Sequence, residues 1–152
     1  MANENEFDLE KIAEEWSKDA VINELDIVKE IGRVPILHAK YLQRLTTAKL
    51  KLQRFKVKYH KLRQLKFRYY RGELSKEELT TYGWEQWQGM KPLKSEMNEF
   101  LQGDVDLVQI EEKMEFVEAI ISTYESILKS INQRGWDLRT MLQAKQFYSG
   151  GN

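Results

Sequence analysis

The stretch that decides the fold is residues 40–71, KYLQRLTTAKLKLQRFKVKYHKLRQLKFRYYR. Two patterns are superimposed on it. Tyr41, Ala48, Phe55, Leu62 and Tyr69 recur every seven residues, and Leu45, Leu52 and Tyr59 follow the first three at four places. That spacing draws one continuous apolar stripe along a helix. Around the stripe stand twelve bases and no acid. Lys49, Lys56 and Arg63 flank it on one side; Lys40, Arg54, Lys61 and Arg68 flank it on the other. Arg44, Lys51 and Lys58 extend the basic surface further round. Pro35 suits a first helical turn, where its missing N–H costs nothing, and Gly72 suits a C-terminal stop. The spacing therefore predicts a helix from Pro35 to Gly72, roughly 50 Å long at 1.5 Å per residue. It buries one face and presents a long cationic surface on the others.

The whole chain hides this. Its 152 residues carry 24 Lys plus Arg against 24 Asp plus Glu, a net charge of zero. Resolved by position, residues 1–39 hold ten acids and four bases, residues 40–71 hold twelve bases alone, and residues 72–152 hold fourteen acids and eight bases. The balance is −6, +12, −6. A solvated helix face usually mixes signs, because Glu and Lys four apart support each other. An acid-free run forgoes that support and repels itself, which points to an anionic partner.

The remaining segments are also helical in pattern. Residues 7–17 and 21–31 read as two short amphipathic helices, the second ending near Gly32. Ser75-Lys76-Glu77-Glu78 has the form of a capping box, opening a short helix over about 76–82. The stretch from Gly83 to Gly89, with Trp84 and Trp87, is too punctuated by glycine to assign; packing in a loop-rich corner is the simpler role for both rings. Pro92 restarts a helix through about Leu101, broken at Gly103-Asp104. From Asp106, the residues Ile110, Met114, Val117, Ile121, Tyr124, Leu128 and Ile131 alternate steps of four and three, a coiled-coil-like seam. Phe116, Ile120 and Ile127 widen it beyond what one partner covers, so one face can line the core and another a subunit contact. Arg134-Gly135 is expected to interrupt, with a last amphipathic helix at Leu138, Met141, Leu142 and Phe147. No segment alternates with period two. The fold reads as all-α, one domain over 1–152, with a part that holds the basic helix (1–104) and a C-terminal helical part (105–148).

Little catalytic chemistry is on offer. The chain has no cysteine, hence no thiol nucleophile, thiolate metal site or disulfide. His38 and His60 stand in no metal-ligand spacing, no Gly-rich phosphate loop precedes a Lys-Ser/Thr pair, and no cofactor is expected. No apolar run is long enough to span a membrane and the acidic N-terminus is no secretory signal, so a soluble intracellular protein is expected. The sharpest local signal is Lys66-Phe67-Arg68-Tyr69-Tyr70-Arg71-Gly72. Cations that track phosphates alternate there with rings that offer stacking faces, as in proteins that bind single strands without sequence preference. Tyr69 continues the buried stripe, whereas Phe67 and Tyr70 lie off it and are expected to be exposed. On this reading Arg54, Lys58, Lys61, Arg63, Tyr70 and Arg71 face nucleic acid. A helical adaptor docking an acidic protein surface, and an amphipathic helix lying on a membrane, are the rivals from other classes.

The same segment resembles the Lys-x-Arg-x-Tyr-Tyr-x-Gly element of the UvsY family, recombination mediators of T-even-type bacteriophages. Two further blocks fall in the same order: Lys94-Ser95-Glu96-Met97 with Leu101, Asp104 and Asp106, and Arg134-Gly135-Trp136-Asp137-Leu138-Arg139 continued by Lys145, Phe147 and Gly150. The resemblance implies a non-enzymatic protein of the host-cell cytoplasm that binds single-stranded DNA. It implies loading of a RecA-type recombinase onto strands coated by single-strand-binding protein, with both proteins as partners. It further implies a ring-like homo-oligomer of six or seven subunits assembled through the C-terminal helices, and no membrane role. Lys66 and Arg68 match the family's DNA-binding basic pair. Subunit contacts are expected from Ile121, Leu128 and Ile131 on the seam and from Trp136, Leu138, Met141, Leu142 and Phe147 beyond it.

Overall fold

The computed structural model describes residues 4–150. Among these residues the fold is all-α. A 3-10 turn over Glu4–Phe7 precedes α1 (Leu9–Asp19), α2 (Ile27–Tyr70), α3 (Lys76–Tyr82), α4 (Met97–Gln102) and α5 (Val105–Ser149). The chain groups into two compact units, Met1–Lys51 with Val117–Asn152, and Leu52–Phe116. Their boundaries fall inside α2 and α5.

Both long helices exceed their expected lengths, for a shared reason. Residues 21–26 are not helical. Asn23 Oδ1 accepts the Leu25 N–H at 3.1 Å, and Asp26 Oδ1 accepts the Lys29 N–H at 3.2 Å, so Asp26 caps α2. From there α2 runs through Gly32 and Pro35 without a break. An internal proline costs about 3 kcal/mol and a glycine about 1. Packing across the first unit offsets them. Ile27 and Leu37 on either side are buried, and buried Glu30 receives the Arg134 guanidinium at 3.0 Å. The same Arg134 donates to the carbonyls of Ala20 and Val21. Pinned at three points, this turn carries α5 straight through Gly135, where a break was expected; a Cβ at Gly135 would stand 3.7 Å from Val34 Cγ1.

The first unit's core joins Ile12 of α1, Leu37, Tyr41, Leu45 and Ala48 of α2, and Ile120, Tyr124, Ile127, Leu128 and Ile131 of α5. Full burial of such aliphatic side chains contributes about 1.5–3 kcal/mol each. Trp16 of α1 meets Tyr41 edge-on at 5.5 Å and packs against this core. The second unit packs Tyr70, Met97, Leu101 and Leu107 with Tyr59, Leu62, Phe67, Trp87 and Phe100 around them. Here α3 occupies its expected span: Ser75 Oγ accepts the Glu78 N–H at 3.2 Å, and Glu78 Oε2 accepts the Ser75 N–H at 2.9 Å. Gly83, left-handed at φ +67, ends it. Pro92 opens a turn, not a helix; Glu96 Oε2 accepts the Leu93 N–H at 3.0 Å and α4 begins only at Met97.

Candidate nucleic-acid interface

The acid-free run has three parts with different electrostatic surroundings. Its start belongs to the first unit and faces acidic α1. Lys40 Nζ lies 2.7 Å from Glu15 and 2.6 Å from Asp19. Arg44 grips Glu15 with two N–H groups. That fork holds the Glu15 carboxyl far below its ordinary range, at about 2. Tyr41 donates to Asp19 at 2.8 Å, and burial together with this bond raises its hydroxyl pKa. Lys49 approaches Glu125 at 3.7 Å, and the Lys51 ammonium sits 3.8 Å above the Phe7 ring.

The end of the run, in the second unit, is neutralised too. Lys66 is only 6% exposed. Its ammonium lies 3.1 Å from Asp104 and 2.7 Å from Asp106, beneath the Trp84 ring at 4.1 Å. Asp104 also accepts the Tyr70 hydroxyl at 2.7 Å, and its other oxygen caps α5 through the Asp106 and Leu107 N–H groups at 3.0 and 3.1 Å. Burial alone would raise the Asp104 pKa; the bonds from Tyr70, Leu107 and Lys66 outweigh it and hold the group below its usual value. Lys66 and Tyr70 were expected at the DNA surface. They are instead turned into the core, because Asp104 and Asp106 arrive there with the start of α5. Trp84 and Trp87 pack as expected, edge-on to Tyr69 at 5.3 and 6.2 Å. Arg68 is exposed but bound by both oxygens of Glu78 at 3.1 Å, and Arg71 by Glu73 at 2.8 Å.

Between these ends, Arg54, Lys56, Lys58, Lys61 and Arg63 have no carboxylate within 4 Å among the described residues; the second unit's ion pairs begin only at Lys66. Arg63 donates to the Asn98 side chain at 3.2 Å. Arg54, Lys58 and Lys61 are exposed, whereas Lys56 and Arg63 are partly buried. Positions 54, 58, 61 and 68 share one helix face by their i, i+4, i+7 and i+14 spacing. The structure thus places three of the expected contacts in one solvent-facing row, with Arg68 at its end. Arg63 and Arg71 lie on another side of the helix.

The expected subunit contacts divide as well. Leu128, Ile131 and Leu138 are buried within the chain, and Ile121 packs on the first unit's core; they serve the chain's own interior because α1 and α2 cover that face of α5. Trp136, at 66% exposure, and Phe147, at 80%, are free of such cover, and Met141 and Leu142 are half-buried. Exposed Val21, Leu25, Val28 and Ile36 join them as apolar groups without a partner among the described residues. A helix over 21–31 would have paired these side chains with a core; the Asn23-Asp26 turn signal could have corrected that. Lys91 and Lys94 beside the end of α2 were also missed, since a loop has no period to reveal its facing. Among the described residues no cluster of His, Asp or Glu could hold a metal ion, and no helix is long and apolar enough to cross a membrane.

Residues 15–151 match the family described as "Recombination, repair and ssDNA binding protein UvsY". The chain is 22% identical over 142 residues to the recombination protein uvsY of Enterobacteria phage T4, covering 93% of this chain and 98% of that one. Two crystal structures of the bacteriophage T4 recombination mediator protein UvsY superpose on it. The lattice type II structure gives a TM-score of 0.81 at 20% identity, covering 93% of this chain and 98% of the other. The lattice type I structure gives 0.74 at 20% identity, covering 90% and 97%. The family match spans residues 15–151, most of the chain, and the chain belongs to the UvsY family of recombination proteins.

Proposed function

We propose that this UvsY-family protein is a non-enzymatic mediator that binds single-stranded DNA along α2. It would load a RecA-type recombinase onto strands coated by single-strand-binding protein, in phage recombination, recombination-dependent replication and repair in the host cytoplasm. The observation that carries the reading is the segment 54–63, with five cations and no carboxylate within 4 Å of them among the described residues. Elsewhere in residues 40–71 the cations meet carboxylates or, at Lys51, an aromatic ring. Unpaired surface charge is self-repelling, and a phosphate backbone relieves that repulsion while releasing its own counter-ions. Arg54, Lys58 and Lys61 form the principal contact row, with Arg63, Arg68 and Arg71 at its margins. Self-association into a ring-like oligomer uses the exposed apolar groups of α5, led by Trp136 and Phe147, with Met141 and Leu142 beside them.

The test is titration of R54A/K58A/K61A with an oligothymidylate at several salt concentrations. Three lost phosphate contacts should weaken binding at least tenfold at moderate salt. They should flatten the slope of log K against log salt by about 2, at roughly 0.7 per single-strand phosphate. Unchanged affinity and slope would remove the row from the interface and leave docking to an acidic protein as the better account of the charge.

A further inference from the structure

A second row runs along α2. Lys56, His60, Arg63, Phe67 and Arg71 follow i, i+4, i+7, i+11 and i+15, so they share a helix face distinct from that of Arg54, Lys58 and Lys61. The row ends in an open cleft of about 530 Å³ within the second unit, inside the roughly 300–1,000 Å³ range of small-ligand sites. Phe67 and Arg71 line one side; Lys91, Pro92, Leu93 and Lys94 line the other.

The charge here does not come from the helix. Its last turn closes through a Schellman pattern, Glu73 N–H to Arg68 C=O and Gly72 N–H to Tyr69 C=O, each 3.0 Å. A carbonyl end repels anions. Lys91 and Lys94 reverse that sign from a separate segment, and neither has a carboxylate within 4 Å among the described residues. The one carboxylate on the lining, Glu73, is occupied by Arg71 Nε at 2.8 Å. Lys91 is drawn in over Gly72: its Cε would lie 3.4 Å from a Cβ there, and Gly72 has φ +71, where a side chain is strained. The guanidinium of Arg71 lies 5.6 Å from the centre of the Phe67 ring. A flat cation beside a ring is a surface on which bases stack. An acidic peptide would satisfy the lysines but has no use for the stacked pair, nor for a cationic row leading to it.

Resting on the reading of α2 as a single-strand site, we propose that this cleft seats one nucleotide of the bound strand. Its base lies against Phe67, Arg71 and Leu93, and its phosphate lies between Lys91 and Lys94. The strand then crosses to the cleft from the Arg54, Lys58 and Lys61 row past Arg68 at the end of α2, with Lys56 and Arg63, seven residues or about 10 Å apart, on the cleft's side of the helix.

The test is photocrosslinking of an oligothymidylate carrying 5-iodouracil, with the attached peptide mapped by mass spectrometry, on the full chain and on K91E/K94E. Both lysines are exposed and unpaired, so the thermal midpoint and helical content should stay unchanged. The wild type should crosslink at Phe67 or within 90–94. K91E/K94E should lose that crosslink and bind the strand five- to tenfold more weakly. Crosslinks confined to residues 54–61, or K91E/K94E binding within twofold of the wild type, would overturn the cleft while leaving the row on α2 standing. Binding of a fluorescent polyglutamate peptide that K91E/K94E abolishes, with strand binding intact, would assign the cleft to an acidic peptide instead. If R54A/K58A/K61A also binds normally, the underlying reading of α2 fails, and the two failures are told apart.

Discussion

Arg54–Arg63 and Lys66–Arg71 belong to one helix and one acid-free run, yet they face opposite fates. Among the described residues no cation of the first segment has a carboxylate within 4 Å; in the second every cation has one. Lys and Arg make up half of each. The difference lies in what folds back: Glu78 on α3, Glu73 just past the helix end, and Asp104 and Asp106 at the start of α5. A positive run in a sequence therefore marks a budget of charge, and tertiary structure decides which part of it is spent inside.

The sharpest way to break this contrast is Lys66→Ala. Truncating one member of a buried charge pair leaves the other unpaired, at a cost of about 3–5 kcal/mol. Urea unfolding followed by tryptophan fluorescence and helical content should show that loss, and any fall in strand affinity should track the unfolded fraction. Weaker binding by a fully folded Lys66→Ala protein would instead restore Lys66 as a phosphate contact. Arg54→Ala should do the reverse, with binding weakened and the unfolding midpoint unmoved.

Acid should move the two segments apart as well. The folded pKa of Asp104 is depressed, so its contribution is fully present above its unfolded value near 4 and is lost as pH falls through the folded value. Glu15 acts likewise between about 4.5 and about 2. Unfolding midpoints should be level from pH 8 to 5 and fall below pH 4, with no such fall traceable to residues 54–63. A midpoint flat to pH 3 would contradict the pairing of Asp104.

The smallest effect is expected from Glu78→Gln. Glutamine keeps the capping box but frees Arg68. Strand affinity should rise about twofold at low salt, while the unfolding midpoint barely moves, because an exposed, solvent-screened pair adds little to stability. Weaker binding would place Glu78 itself near the strand.

Those residues also show where sequence reading succeeds. Ser75, Glu78 and Gly83 act on their own neighbours, and α3 falls where they put it. The stripe through Tyr41, Leu45 and Ala48 is equally local in its logic, and all three are buried. Gly32, Pro35 and Gly135 carry genuine stop signals, but Arg134 reaches Glu30 from 104 residues away and outweighs them. Lys66 and Tyr70 lie close to the stripe's edge, and their inward turn depends on an acid 38 and 34 residues downstream that no periodicity announces. The exposed row was legible because nothing distant intervenes there. The cleft was not, because two of its cations sit in a loop.

The neutralised ends also set a length. From Arg54 to Arg63 the helix advances about 14 Å, the span of roughly four stacked nucleotides at 3.4 Å each. A strand lying on α2 of one copy would meet unpaired cations over only that length. Tight capture of a longer strand then follows from repetition, with each further copy binding at the high local concentration set by its neighbour. In an oligomer of the kind proposed, the short footprint would make affinity a property of the assembly, so that dilution and salt should release the strand together.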